Sequence, residues 1–420
     1  MYQDALKKDS VFPAERQPIK VLTMKKLLRL WMLGLWLLAL PGLASAADAP
    51  LSFVQSMQTA TSDWRGQQIE LRNTADETAA KLIAGGNVYV APTQKSFSQE
   101  VLGRAGGLML VKSLNAKTML TSLDTVLAAM DSGSDPAALD VVMQQAKDAG
   151  AKVLLFAGPS RGKVSSGAGV QVFPTHTFDN LTYSQSAGEE SVSNVIGVWT
   201  WMAEVVACSV RRGHMPAAFT SNFMPNGKDR NAPFRKSTFH TVTDVTPASV
   251  RGLSTKYLDA LSVALSAMNQ TQSASFTRGA KMIKDATANG HHVEVEYLAH
   301  MFPYEIQGPG RPDWRVATKY RIDDTMPEGL SKGDVVLFLQ YQVFPYNFTT
   351  ELQAIGVQSI ITSAQKPLDH WATDADIDYI NPFWKVQDAA VDVPGYDIDI
   401  LPTSGILQST VYWQLVRLTK

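Results

Sequence analysis

A segment that occurs twice, 205 residues apart, constrains this chain more than anything else in it. Residues 85–100 read GGNVYVAPTQKSFSQE and residues 290–305 read GHHVEVEYLAHMFPYE. In that register Gly85, Val88, Val90, Phe97 and Glu100 fall on Gly290, Val293, Val295, Phe302 and Glu305, five identities in sixteen gapless positions. Each copy follows a helical stretch. Each then runs as glycine turn, alternating strand, loop, and a helix carrying Phe-x-x-Glu. The repeat predicts two related α/β units with a ligand site in or beside their interface.

The pattern around the repeat fills out those units. In the first, a helical pattern over 51–84 precedes strands at 88–91, 108–111, 125–130, 152–156 and 170–173. Helices begin at Phe97 and span 137–148 and 192–210. The second shows a helix over 255–288, strands at 292–296, 335–339 and 359–362, a helical segment at 349–354 and a closing helix at 405–418. Strands alternating with helices predict parallel sheets with right-handed crossovers. The expected fold is α/β: two units, each a five-stranded parallel sheet flanked by helices, arranged as a pseudo-dimer. Their boundaries fall at 47–215 and 251–420. Between them, 216–250 is rich in Asn, Pro, Arg and His and is a connecting or site-forming insertion.

Ahead of the units, Met24 opens a stretch with Lys25, Lys26 and Arg29, an apolar run over 30–40, Pro41-Gly42, and then Ala44-Ser45-Ala46. This is the pattern of a secretory signal peptide over 24–46, with Ala47 the mature N-terminus. The apolar run is short for a bilayer span, so no stable membrane anchor is expected after cleavage. Residues 1–23 form an upstream extension that carries no fold argument, and either Met1 or Met24 can be the start. The expected location is exported, periplasmic or secreted.

Cleavage would remove seven Lys/Arg and three Asp/Glu, leaving 31 basic against 36 acidic residues. That excludes a broad basic field for nucleic acid. Cys208 is the only cysteine, so no intramolecular disulfide can form. It sits in an apolar stretch over 199–210, where a small buried thiol is the ordinary reading. His291 and His292 are adjacent on a strand and point to opposite faces, which does not chelate one ion. No metal and no cofactor is expected.

Residues 132–158, SGSDPAALDVVMQQAKDAGAKVLLFAG, resemble the central motif of the sugar isomerase (SIS) domain family. In that family a strand enters a Ser-Gly-x-Ser/Asn loop that opens a helix. The helix ends in Ala-Lys-x-x-Gly-Ala-Lys-Val before a hydrophobic strand. Hydroxyls and free N–H groups at a helix N-terminus suit a phosphate. Glu100-Val101-Leu102-Gly103-Arg104 resembles a segment of the sedoheptulose-7-phosphate isomerases, in which the glutamate is the catalytic base. The resemblance implies ligand contacts from Ser132, Gly133 and Ser134, from Lys95 and Ser96 after the first strand, and from Arg104. It also implies Glu100 as a candidate base.

The residues allow plainer readings too. Ser132 and Ser134 suit a helix N-cap. Arg212 and Ser221 lie in the Arg- and His-rich stretch 211–240, and Arg212 fits either bidentate anion recognition or a solvated helix C-terminus. His300, beside the second copy's glutamate, is a candidate partner for Glu100 in proton transfer or a hydrogen-bonded loop histidine. The family pattern is also broken in places. The loop 91–96 has no glycine, the closing helix at 198–204 has no histidine, and 340–345 looks apolar and unsuited to phosphate. A ligand site mainly on the first unit follows.

The expected function is an exported SIS-type protein that binds a sugar derivative, with sugar phosphates among the candidates, without turnover. Two alternatives stay open: an aldose–ketose sugar-phosphate isomerase using Glu100, and a non-catalytic assembly or partner-binding module. Self-association is compatible with each.

Overall fold

The computed structural model describes residues 51–158, 169–175, 183–241, 244–306, 311–317, 329–372 and 374–420. The expected upstream extension, the signal peptide expected over 24–46 and Ala47 lie outside the described residues.

Helix α1 (Ser52–Gly66) and helix α2 (Gln68–Ile83) stand where one continuous helix was expected over 51–84, with the break at Gln67. In α1 the buried Phe53, Val54, Met57, Ala60, Thr61 and Trp64 recur at helical spacing and form one face. There follow β1 (Val88–Val90), α3 (Lys95–Val101), β2 (Val111–Ser113), β3 (Thr125–Met130), α4 (Pro136–Ala149), β4 (Lys152–Ala157), β5 (Val170–Pro174) and α5 (Tyr183–Val210). The insertion holds α6 (Gly227–Asn231). The second half runs α7 (Gly252–Thr271), α8 (Ser273–Ala288), β6 (Val293–Tyr297), α9 (Phe302–Glu305), β7 (Arg315–Val316), β8 (Val335–Leu339), α10 (Tyr346–Ala354), β9 (Gln358–Thr362), α11 (Asp369–Ala372), β10 (Ile377–Tyr379) and α12 (Ser404–Thr419).

The first sheet has the order β2-β1-β3-β4-β5 and the second β7-β6-β8-β9-β10, and the pairings are parallel throughout. Position for position the two orders are the same. The fold is therefore two five-stranded parallel sheets flanked by helices, as the repeat predicts. The central strands β3 and β8 are buried along their whole length, because helices cover both faces of a parallel sheet. One expected strand moves. The second strand is Val111–Ser113 rather than 108–111, and Leu108 instead bridges antiparallel to Ala218 of the insertion.

The two halves meet reciprocally. The Met301 N–H donates to Glu100 Oε2 at 3.2 Å, while Ser96, which the repeat register places on Met301, faces Glu305 and favours its charged form. The closing helices α5 and α12 follow a register of 214, which puts Ser191 on Gly405 and Trp199 on Trp413. Ser191 Oγ donates to Glu305, and Gly405 packs so tightly on Glu100 that a Cβ there would lie 2.3 Å from Oε1. Trp413 Nε1 donates to Glu305 Oε2 at 3.1 Å, and Trp199 lies against Glu100 without a hydrogen bond of good geometry. Each glutamate thus enters the opposite half's closing helix. That is the contact pattern of a two-fold interface folded into one chain.

The segment Gly188–Val210 of α5 is apolar and long enough to cross a membrane, yet it is wholly buried among α1, α2, α7 and α12. It is a core helix. Close approach is bought with glycine: a Cβ at Gly197 would lie 2.4 Å from the Trp64 ring. Cys208 is buried on the same helix, as the sequence reading had it, and burial pushes its thiol up to about 11.

Candidate functional site

A cavity of about 540 Å³ lies at the carboxyl ends of β6 and β8, the usual place for a ligand in an open parallel sheet. Its walls come from four places. Leu298, Ala299 and His300 follow β6, and Tyr341 follows β8. Gly103, Arg104 and Ala105 come across from the first half, and Asp388 and Ser404 stand at the start of α12. The insertion supplies the rest: Phe219, Thr220, Ser221, Asn222, Phe223, Lys228, Asn231 and Arg235.

The floor is built on Arg104, which is 2 % exposed. Its Nη1 donates to Glu100 Oε2 at 2.5 Å, and its Nη2 donates to Asp388 Oδ2 at 2.6 Å and to Ser404 Oγ. Asp388 Oδ1 accepts the backbone N–H of Ser404 at 2.7 Å and of Thr403 at 3.2 Å. Ser404 Oγ donates to Asp388 Oδ2 at 2.7 Å. The N-terminus of α12 therefore holds an anion supplied by the chain itself. Ser404 is the first helical residue, one position before the expected start at 405, and the Asp388 carboxylate does the capping. Asp388 takes a φ of 56°, a left-handed conformation that these bonds hold in place.

Glu100 lies behind Arg104 and does not line the cavity. Burial pushes its carboxyl up to about 7. The Arg104 charge and the Met301 N–H oppose the shift, and the Asp388 charge adds to it. His300 stands exposed on the cavity side, where crowding by the walls and then the Arg104 charge lower its pKa. The structure thus brings Glu100, Arg104 and His300 into one neighbourhood, but it places the guanidinium between the glutamate and the open space.

The insertion is fastened down as a wall. Arg230 holds Asp397 through two bonds of 2.7 and 3.0 Å and donates to the Tyr396 hydroxyl at 2.9 Å. The Tyr396 hydroxyl in turn accepts the Ala218 N–H at 3.1 Å. Phe234 stacks on His240 at 4.0 Å between ring centres, and Arg230 lies over both the Phe234 and Tyr396 rings.

Of the residues singled out from the sequence, Arg104, Ser221 and His300 meet at this cavity. The others lie elsewhere. Lys95 is exposed, and Ser96 is buried in a hydroxyl cluster with Gln94 and Ser191. Ser134 Oγ donates to Asp131 Oδ1 at 2.8 Å, and the Gly133 N–H donates to the same oxygen at 2.9 Å. Ser132 is buried. The cap of α4 is Asp135, which accepts the Ala137 N–H at 3.0 Å. Arg212 pairs with Asp76 through bonds of 2.8 and 2.9 Å, so its guanidinium is already engaged.

The cavity thus sits over the second sheet, beside the residues 340–345 that looked apolar and unsuited to phosphate. Its polar character comes from the insertion. Lys228, Asn231 and Arg235, with Tyr341 and Asp388, had no recognisable spacing in the sequence. The composition of 216–250 was the one signal pointing to Lys228, Asn231 and Arg235, and nothing in the sequence pointed to Tyr341 or Asp388.

No protein-family model and no curated protein matches the sequence. Among solved structures, an inferred phosphosugar isomerase from Clostridium difficile 630 aligns over 88 % of this chain and 93 % of its own, with a TM-score of 0.46 and 10 % identity. The C-terminal domain of glucosamine-fructose-6-phosphate aminotransferase from Francisella tularensis aligns over 86 % of this chain and 95 % of its own, with a TM-score of 0.45 and 8 % identity. An inferred sugar binding protein from Salmonella typhimurium LT2 aligns over 87 % and 98 %, with a TM-score of 0.48 and 9 % identity. At such values the fold rests on this chain's own strand order, and the site on its own side chains.

Proposed function

We propose that this chain is an exported SIS-type protein that binds an anionic sugar derivative in the cavity over the second sheet, without turning it over. The observation that carries the reading is the make-up of that cavity. Lys228 and Arg235 present cations, Thr220, Ser221, Asn222 and Asn231 present hydroxyls and amides, and Phe219 presents an apolar face. Sugar recognition uses this mixture of polar and aromatic groups, and the cations suit a phosphate or carboxylate substituent. The likeness of residues 132–158 to the SIS motif supports the sugar part of the reading. The sequence over 24–46 supports export.

Turnover by an isomerase would need a base opening on the substrate, and Glu100 does not open on the cavity. The Glu-Val-Leu-Gly-Arg segment at 100–104 is therefore read as a buried ion pair of this chain.

Calorimetric titration with hexose 6-phosphates and hexuronates tests the site. Lys228→Ala with Arg235→Ala removes two exposed charged donors and should weaken a bound probe by roughly tenfold. Ser132→Ala with Ser134→Ala should leave affinity unchanged. The reverse pattern would move the site to the first sheet. Exchange of a sugar C2 proton with solvent that is lost in Glu100→Gln would replace binding with isomerisation.

A further inference from the structure

Phe223 stands out from the other Phe, Tyr and Trp rings among the described residues. It is 47 % exposed, and no other Phe, Tyr or Trp among the described residues belongs to the strongly exposed class. It sits in the cavity wall, and its turn is held from several sides. The Phe223 N–H donates to Ser221 Oγ at 3.2 Å, and the Met224 N–H donates to Ser221 O at 3.1 Å. Asn231 clasps Thr220, accepting its N–H at 3.0 Å and donating to its carbonyl at 2.8 Å, and also donates to Asn222 Oδ1 at 3.3 Å. Gln342 Nε2 reaches across from the second half to Ser221 Oγ at 3.2 Å. Behind the turn, a Cβ at Gly227 would lie 2.1 Å from Ser221 O, so only glycine allows this packing. A flexible loop would tuck such a ring away. This turn holds the backbone that presents the ring to water.

The arrangement separates two kinds of contact. The buried wall groups Ser221, Asn231 and Arg104 and the exposed Lys228 and Arg235 answer one polar, anionic ring. Phe223 faces solvent beside them and offers a flat apolar surface, which suits the C–H face of a further pyranose. Because the ring is already exposed on a hydrogen-bonded turn, stacking on it leaves little backbone to be ordered. We infer that Phe223 is a stacking platform for a second sugar ring, so that the ligand is an anionic oligosaccharide rather than a single phosphosugar. The inference rests on the sugar-binding reading above and names the substrate class of that same site.

The test is calorimetric titration of the mature chain with galacturonate, digalacturonate and glucose 6-phosphate, in the parent, Phe223→Ala and Phe223→Trp. The parent should bind digalacturonate more tightly than galacturonate. Phe223→Ala should weaken digalacturonate by about tenfold, to the level of galacturonate. It should leave galacturonate and any glucose 6-phosphate binding within about twofold. Phe223→Trp should keep the two-ring preference. Equal parent affinity for one and two rings, or an equal loss for both in Phe223→Ala, overturns the platform while the sugar site stands. Binding of glucose 6-phosphate alone does the same. No binding of any of the three probes takes down the sugar-binding reading and the platform together.

Discussion

Replacing Arg104 by methionine removes a cation that two buried carboxylates share. Arg104 is 2 % exposed, Glu100 0 % and Asp388 1 %, so water cannot take over the lost pairing. Removing one partner of a buried pair costs about 3–5 kcal/mol, because the remaining charge is left uncompensated. Here two charges remain. Asp388 keeps the Thr403 and Ser404 N–H groups and the Ser404 hydroxyl. Glu100 keeps only the Met301 N–H among good hydrogen bonds. The larger share of the cost therefore falls on Glu100.

The sign of the pH dependence follows from the direction of its shift. Glu100 already titrates at about 7 in the folded chain, above its ordinary 4.5, because burial outweighs the attraction of Arg104. An acid with a raised folded pKa binds its proton more tightly when folded. Its favourable contribution is complete below the unfolded pKa and is lost as pH rises through the folded one. Without Arg104 the folded pKa climbs further, so the loss extends to higher pH. The deficit of Arg104→Met against the parent should be smaller at pH 5.5 than at pH 8.5. Urea unfolding followed by fluorescence of the buried tryptophans at the two pH values measures this. Adding Glu100→Leu should recover at least half of the deficit at pH 8.5, since it removes the stranded acid. A deficit below about 1 kcal/mol at pH 8.5, the worth of an exposed pair, would refute the reasoning. So would equal deficits at both pH values, or a double variant no better than the sum of the singles.

Gly405→Ala should destabilise by about 1–3 kcal/mol in the same assay, the range for overpacking, since its Cβ would meet the Glu100 carboxylate at 2.3–2.6 Å. Gly66→Ala is the control: nothing lies within 4 Å of a Cβ there, so it should be neutral or stabilising by up to about 1 kcal/mol. Export predicts that N-terminal sequencing of secreted material begins at Ala47, and a start upstream of Ala44 would refute it.

The elements that were legible in the sequence are those with long apolar runs or sharp punctuation. Val335–Leu339 is entirely apolar and stands unshifted, and α4 ends at Ala149, one residue past the expected end, with Gly150 in the left-handed conformation as its cap. What escaped notice is short or polar. The edge strand β7 has two residues and β10 three, too few for any period to show. The break between α7 and α8 at Gln272 carries no glycine or proline to announce it. At the site, the repeated glutamates were visible, but their exchange between halves was not. A periodic pattern records which face is buried and not what covers it. Asp388 escaped for the same reason: it lies 284 residues from Arg104, and only the fold brings them together.

The crossed glutamates also govern how such a chain can be cut. Each half has its own sheet, strand order and closing helix, and the irregular stretch 216–250 looks like a natural place to divide them. Yet α1 of the first half packs on α7 and α12 of the second, and Glu100 and Glu305 each occupy a slot in the other half's helix. Either half expressed alone would expose a carboxylate whose surroundings belong to its absent neighbour. A chain that carries two such units in tandem has thereby given up the freedom to exchange partners, and the halves are expected to fold as one piece.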